Sequence, residues 1–263
     1  MRILRIFLLH VQHIFEYRSR SLIWFFISLL NPLMLLLFWK GAILQNNGAG
    51  TTLPYITSYY LLLVVAGAFL TAHVEEDVSE IDIHEGHLSQ YLIRPFSYFW
   101  FKFFEEIPYR LLQGLYGVIV CAIFFSFFGQ LFVFVTDPFQ LFLCVIITLL
   151  AYFLSFYFKM VLGVLAFWIQ DIRGLYQVIE IVMLIFAGFL VPLELLPSAV
   201  SHLSFIMPFA YMIYFPVVSF QGKLPLDTML HVIELQCLWL VLFVAIYQIM
   251  WKKGIQKFTA AGQ

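Results

Sequence analysis

Charge is scarce in this 263-residue chain: Asp, Glu, Lys and Arg make up only 11% of it, whereas soluble domains carry about 25%. Hydrophobic residues reach 63%, against about 45–50% in soluble domains. Apolar runs of about 20 residues, the length that crosses a bilayer core, recur along the sequence. The composition excludes an ordinary soluble domain and predicts an all-α polytopic membrane protein.

Several familiar signatures are also missing. The three cysteines lie inside apolar runs without paired spacing, so they predict neither disulfides nor a cysteine metal site. There is no Gly-x-x-x-x-Gly-Lys-Ser/Thr phosphate loop, no Gly-x-Ser-x-Gly nucleophile elbow and no basic patch for nucleic acid. We therefore expect no ATP bound through a phosphate loop of this chain, no elbow-serine hydrolase and no nucleic-acid partner.

Six apolar runs predict six membrane spans, over residues 22–44, 55–73, 108–128, 139–167, 174–191 and 229–250. With six spans both termini lie on one side of the membrane, together with twelve of the fourteen Lys and Arg residues. Only Lys40 and Lys223 lie on the other side. Because positive residues accumulate on the cytoplasmic side, both termini are expected to be cytoplasmic.

Two further segments are expected to touch the membrane without crossing it. Residues 195–220 are apolar but contain Pro197, Pro208 and Pro216, so they predict a re-entrant outer hairpin of short broken helices packed against protein. Residues 1–20 have a basic and an apolar face at helical spacing, which predicts an N-terminal amphipathic helix in the inner interface. A cytosolic cap that packs on another subunit is the alternative for residues 1–20.

Residues 74–97 are the most polar part of the chain, with six acids and two histidines. His84 and His87, with the carboxylates around them, have side chains that can bind zinc, although Gly86 interrupts the helix between them. Alternatively, Val74 and Val78 belong to an apolar stripe that continues at Ile81, and the acids occupy the remaining faces. In that case a helix ending near Gly86 presents a charged surface to a partner protein.

A second polar cluster suggests an enzyme. Glu105, Glu106 and Arg110 match the Glu-Glu-x-x-x-Arg pattern of the intramembrane CAAX-protease-like family, in which paired glutamates activate water. That family's Phe-x-x-x-His and His-x-x-x-Asn patterns do not follow in this chain. The same residues also fit a polar cluster at the start of a span. An intramembrane metalloprotease is therefore one alternative to transport, and an ATP-independent carrier is another.

Glu180 lies inside the fifth predicted span, one turn after Gln177. An ionisable residue within a span is costly and by default indicates a function. It can line a substrate pathway, or it can be a protonated or hydrogen-bonded carboxyl between packed helices. Both interpretations stay open.

Three elements in chain order resemble the membrane subunits of ABC-2-type transporters, in particular a short bacterial subgroup of about this chain's length. Residues 86–95 have the pattern Gly-x-Leu-x-x-x-Leu-x-Arg-Pro, and residues 167–174 have Phe-Trp-x-x-Asp-x-x-Gly. The outer element after the fifth span has the residues Gly188, Pro192, Pro197, Pro208, Phe209 and Tyr211. The resemblance covers nearly the whole chain.

This resemblance implies a permease subunit of an ATP-driven exporter in the bacterial inner membrane. It implies two permease chains, identical or different, and two separate ATPase chains that bind ATP and Mg, so this chain needs no cofactor. Residues 74–97 would carry the coupling helix that docks on the ATPase. The docking residues expected on this basis are Val78, Glu80, Ile81, Asp82, Glu85, Gly86, Leu88, Arg94 and Asp171.

The substrate pathway implied by the resemblance runs between two permease chains, along the first, second and fifth spans, and its candidate residues are Asn31, Gln177 and Glu180. Its aromatic and aliphatic character would suit a hydrophobic or amphiphilic substrate, such as a drug or a lipid-like molecule. No Lys or Arg occurs between Lys40 and Arg94. The acids of residues 74–97 are therefore expected to meet a basic cleft on the ATPase.

Overall fold

The computed structural model describes residues 12, 18–45 and 52–258. The interfacial helix predicted over residues 1–20 lies almost entirely outside this part of the chain. The described residues are helical and contain no β-strand. The α-helices are α1 (Arg18–Gln45), α2 (Leu53–Leu70), α3 (Val74–Glu76), α4 (Leu88–Leu92), α5 (Tyr98–Phe128), α6 (Pro138–Val164), α7 (Arg173–Phe186), α8 (Ser198–Ile206), α9 (Pro208–Met212), α10 (Tyr214–Phe220) and α11 (Leu226–Ile255).

Four helical segments among the described residues are long and apolar enough to cross a membrane: Leu53–His84, Tyr98–Phe127, Pro138–Phe167 and Leu226–Ile255. They confirm a polytopic all-α membrane protein. The 28 residues of α1 extend about 42 Å, longer than a hydrocarbon core of about 30 Å. The 14 residues of α7 extend only about 21 Å. The count of six spans therefore stays a prediction.

The bounds of α5 and α7 differ from the predicted ones for identifiable reasons. Helix α5 begins at Tyr98 rather than at residue 108 and continues through Pro108. Its charged first part stays helical because the charges pair one turn apart, as Lys102 with Glu105 and Glu106 with Arg110. Helix α7 ends at Phe186 rather than at residue 191, since the chain turns at Gly188 with a φ of 84°.

Helix α6 is the centre of the molecule. Most of its residues from Ala151 to Val164 are buried, and α11 packs along it. The buried Gln236 of α11 donates hydrogen bonds to the Ile147 carbonyl at 3.0 Å and the Tyr211 carbonyl at 2.9 Å. These bonds join α6, α9 and α11 and give the buried side-chain amide of Gln236 its acceptors.

Helices α8, α9 and α10 occupy the segment predicted to be re-entrant. Residues 210–219 are all buried, and the Tyr59 hydroxyl of α2 donates to the Gly188 carbonyl at 2.6 Å just before them. Irregular backbone at membrane depth is tolerated where protein covers it, and this segment meets that condition. Its entry into a membrane stays a prediction.

The two ends of the bundle differ in chemistry. We call residues 74–97, 168–172 and 251–258 the polar end. There the Trp251 ring stacks on Tyr98 at 4.7 Å between centroids, and Lys257 lies over the Trp168 ring. At the opposite end, the Val135 amide donates to the Phe220 carbonyl at 2.8 Å. The polar residues predicted to meet a partner therefore gather at one end of the fold.

Candidate functional site

Residues 74–86, which we call the polar segment, are wound more widely than an α-helix. It begins as α3 and continues as a π-helix over Asp77–His84, and Gly86, with a φ of 82°, ends it. In a π-helix each residue bonds five positions along the chain, so inward-facing residues recur about every four or five positions. The buried residues are Val78, Ser79, Asp82 and Ile83. The predicted stripe is therefore wrong at Ile81, which is 41% exposed.

Glu75 ties the start of the polar segment to α6. Its carboxylate forms an ion pair with Lys159, and each side chain is only 3% exposed. The Tyr176 hydroxyl of α7 donates to the Glu75 carbonyl at 3.1 Å. Close packing accompanies the pair, since a Cβ at Gly163 would lie 2.8 Å from the Val78 Cβ. These contacts hold the segment rigidly against α6.

Asp82 ties the other end of the π-helix to α5. Its Oδ2 accepts from the Tyr98 hydroxyl at 2.5 Å and lies 2.8 Å from the Lys102 Nζ. Asp82 is 1% exposed. It was expected to face the ATPase, but in this chain it is buried and paired with Lys102, so its role in docking stays a prediction. Glu75 and Asp82, the two buried acids of the six, thus have cations supplied by neighbouring helices rather than by a partner.

The remaining predicted docking residues divide into buried and exposed sets. Val78 and Leu88 were also expected to dock, but they are 0% exposed and belong to the hydrophobic core of this chain, so docking through them stays a prediction. Gly86 is also buried, and its positive φ is the reason for glycine there. The exposed or partly exposed residues are Glu80, Ile81, Glu85, Arg94 and Asp171.

A groove between the π-helix and the first turns of α7 joins several of the exposed residues. Its volume is about 470 Å³, and it is lined by Glu76, Asp77, Glu80, Ile81, Arg173, Tyr176, Gln177 and Glu180. The Glu80 carboxylate accepts from the Arg173 guanidinium at 3.2 and 3.4 Å, and this pairing raises the pKa of Arg173. Four carboxylates against one guanidinium make the groove acidic. We call it the acidic groove.

The acidic groove unites two predicted sites. Gln177 and Glu180, proposed from the sequence as pathway residues, lie beside Glu80 and Ile81 of the docking segment. The side chain of Asn31 lies outside the described part of the chain. Sequence reasoning missed the contribution of Arg173, although Arg173, Gln177 and Glu180 follow one another at spacings of four and three residues, which places all three on one helix face.

The two glutamates that matched the protease pattern, Glu105 and Glu106, both form ion pairs. The Glu106 Oε1 lies 2.5 Å from the Arg110 Nε, and the Glu105 Oε2 lies 3.2 Å from the Lys102 Nζ. Within residues 18–45 and 52–258, no three His, Cys, Asp or Glu side chains form a group that could hold a metal ion.

Comparison with known families decides the class. A model of the ABC-2 family transporter proteins matches residues 22–262, nearly the whole chain. The chain belongs to this family. The resemblance noted in the sequence is thereby confirmed, and membership supports a permease subunit of an ABC transporter that partners with ABC ATPase subunits. It also favours a transport subunit over an enzyme such as the CAAX-like protease. A comparison with curated proteins finds no match.

Proposed function

We propose that this permease chain belongs to an ATP-driven exporter and that its acidic groove receives a basic side chain of the ATPase subunit. The excess of carboxylates in an exposed groove at the polar end carries this proposal. The ATPase would bind ATP and Mg, and this chain would hold no cofactor. Each transporter would contain two ATPase chains and two permease chains, identical or different.

Electrostatics favour a protein over the lipid surface as the occupant of the groove. Anionic headgroups attract basic segments and repel acidic ones. Glu76 and Asp77 are exposed and have no ion-pair partner among the described residues. A Lys or Arg of the ATPase would supply that partner and would fix the orientation of docking. Glu85, Arg94 and Asp171 would form the rim of the interface.

The proposed topology has six spans across a bacterial inner membrane, and the polar end lies in the cytoplasm. Helices α1 and α7 would be the other two spans, in addition to the four long ones. Because α7 is short, the buried helices α8 to α10 would follow it as a re-entrant outer hairpin and fill the rest of the membrane depth. The twelve-to-two distribution of Lys and Arg supports cytoplasmic termini.

Movement of the ATPase would be transmitted to the helix bundle by the buried ion pairs. Glu75 holds the polar segment to α6 and Asp82 holds it to α5, so a push on the segment would move both helices as rigid bodies. The substrate pathway would lie between two permease chains, near α1, α2 and α7, with Asn31 along it. Gln177 and Glu180 would lie at its cytoplasmic mouth. The aromatic content of 19% supports a hydrophobic or amphiphilic substrate.

Co-purification tests the proposal. The chain is expressed with the genes that flank its own, extracted in mild detergent, and assayed for a stoichiometric ATP-hydrolysing subunit. Charge reversals at the groove, Glu76→Lys and Asp77→Lys, are expected to lose that subunit at moderate salt. Asp227→Lys reverses an equally exposed acid at the opposite end of α11 and is the matched control.

Each outcome addresses a different part of the proposal. If folded groove variants retain the ATPase at every salt concentration while the control does too, docking occurs elsewhere. If the unmodified chain purifies without any ATPase, the exporter assignment itself fails. Glu180→Gln, with the ATPase still bound, is expected to change substrate-stimulated hydrolysis if Glu180 borders the pathway.

A further inference from the structure

A second, larger cavity lies away from the acidic groove, between α2, α5, α6 and α10. Its volume is about 640 Å³, within the range of about 300–1,000 Å³ that is typical of ligand pockets. Apolar side chains and a few small polar ones line it, among them Val65, Ala66, Cys121, Ala122, Thr148 and Val217. Among residues 18–45 and 52–258, no charged residue contributes to the lining.

The cavity lies where α5 is held close to α2, and the ring contacts between α5 and α6 that the described residues show lie near the polar end. Gly117 lets α5 approach α2, since a Cβ there would lie 3.0 Å from the Val65 Cα. Near the polar end, the Phe103 ring of α5 stacks on Phe153 of α6 at 5.1 Å. Farther from that end, the space between Ala122 and Thr148 is the cavity.

Aromatic rings close the cavity at the opposite end of the bundle. Phe134 stacks on Phe220 at 5.8 Å, and Phe125 packs edge-on against Phe132 at 5.7 Å. All four line the cavity. On the side of α5, however, Ala122 and Phe125 are exposed. In a membrane this side would open to the hydrocarbon of the bilayer.

The polar groups in the wall are already hydrogen-bonded. The Thr148 hydroxyl donates to the Cys144 carbonyl at 2.8 Å, and the Cys121 thiol donates to the Leu61 carbonyl at 3.2 Å. Thr136 is exposed. A polar ligand inside would lose its water without gaining partners, which is unfavourable. The chemistry of the wall therefore selects a hydrocarbon chain.

The length of the cavity matches one leaflet. Its wall on α2 runs from Leu62 to Leu70, a rise of about 12 Å, and half of a hydrocarbon core of about 30 Å is about 15 Å. We propose that this cavity binds an acyl chain that enters laterally from the leaflet at the end opposite the polar end. The acyl chain fills the cavity between α5 and α6 and excludes water from it.

Photolabelling in nanodiscs tests this site. The full chain is reconstituted with a phospholipid that carries a diazirine on its acyl chain, and labelled peptides are mapped by mass spectrometry. Labelling is expected at residues 62–70 and 118–125 above that of the exposed face of α11. Ala122→Phe, which places a ring in the cavity, is expected to abolish labelling of residues 62–70. Ala245→Phe makes the same change on the exposed face of α11 and is expected to leave the labelling of residues 62–70 unchanged.

A second variant and a second probe complete the test. Thr148→Phe fills the cavity from α6 and replaces a hydroxyl that bonds only within its own helix, so it serves if Ala122→Phe does not fold. A diazirine fatty acid used instead of the phospholipid distinguishes a free amphiphile from a bilayer lipid as the source of the acyl chain. Unchanged labelling in both folded variants, or labelling no stronger than on α11, would overturn the site. The result is independent of whether an ATPase binds.

Discussion

Glu75 and Lys159 form an ion pair in the interior of the protein, 84 residues apart in the sequence. Each side chain is 3% exposed, and the pair joins the polar segment to the central helix α6. Buried pairs of this kind add little net stability compared with apolar residues of similar size. Removing only one member, however, leaves a buried charge without its partner. The pair thus ensures that the segment and α6 remain together.

Lys159→Met is therefore expected to destabilise the protein by about 3–5 kcal/mol, the range found when one partner of a buried pair is removed. Glu75→Leu combined with Lys159→Met is expected to recover most of the loss, because no charge remains buried. Thermal unfolding in detergent, followed by the fraction that stays monodisperse, measures both. Equal loss in the single and double variants would contradict the pairing.

Tyr98→Phe isolates the hydrogen bond to Asp82 at 2.5 Å. The ring and its stacking on Trp251 are retained, so only the hydroxyl is lost, with an expected destabilisation of about 1.5–3 kcal/mol for a bond to a charged group. Tyr152→Phe is the control, since the buried Tyr152 hydroxyl has no hydrogen-bond partner among the described residues. We expect Tyr152→Phe to be neutral or stabilising. Equal melting temperatures for the two variants would argue against the role of Tyr98.

Gly163→Ala tests the close packing of the polar segment on α6. A Cβ there would lie 2.8 Å from both Cβ and Cγ1 of Val78 and 3.3 Å from the Glu75 Cα, so the segment must shift. Alanine favours a helix over glycine by about 1 kcal/mol, yet we expect lower thermal stability and weaker coupling of ATP hydrolysis to transport. Gly174→Ala, with no atom within 4 Å, is expected to be neutral or stabilising. A Gly163→Ala variant as stable as Gly174→Ala would refute this packing.

The proposed topology predicts which residues an impermeant reagent reaches. In a background with its cysteines replaced, Lys223→Cys and Lys257→Cys change exposed residues at opposite ends of the bundle. A membrane-impermeant maleimide added to intact cells is expected to label position 223 and to label position 257 only after the membrane is permeabilised. Labelling of both before permeabilisation would contradict six spans with cytoplasmic termini.

Composition and apolar runs were enough to predict the helical membrane fold, and most predicted spans coincide with long helices. The burial pattern of residues 77–84 was predicted less accurately. The stripe through Val78 and Ile81 assumed α-helical spacing, and the π-helix exposes Ile81 while burying Asp82. Nothing in the local sequence distinguishes the two windings, because the wider turn is stabilised by contacts with Lys102 and Tyr98 of another helix.

The sequence by itself determined that this chain is helical, crosses a membrane and has one exceptionally polar segment, because these properties follow from composition and periodicity along a single stretch of chain. Only the tertiary structure decided which acids of that segment are used internally. Glu75, Glu80 and Asp82 pair with Lys159, Arg173 and Lys102, and such pairs depend on how distant helices pack. The same packing left Glu76 and Asp77 exposed in the acidic groove and created the apolar cavity between α5 and α6.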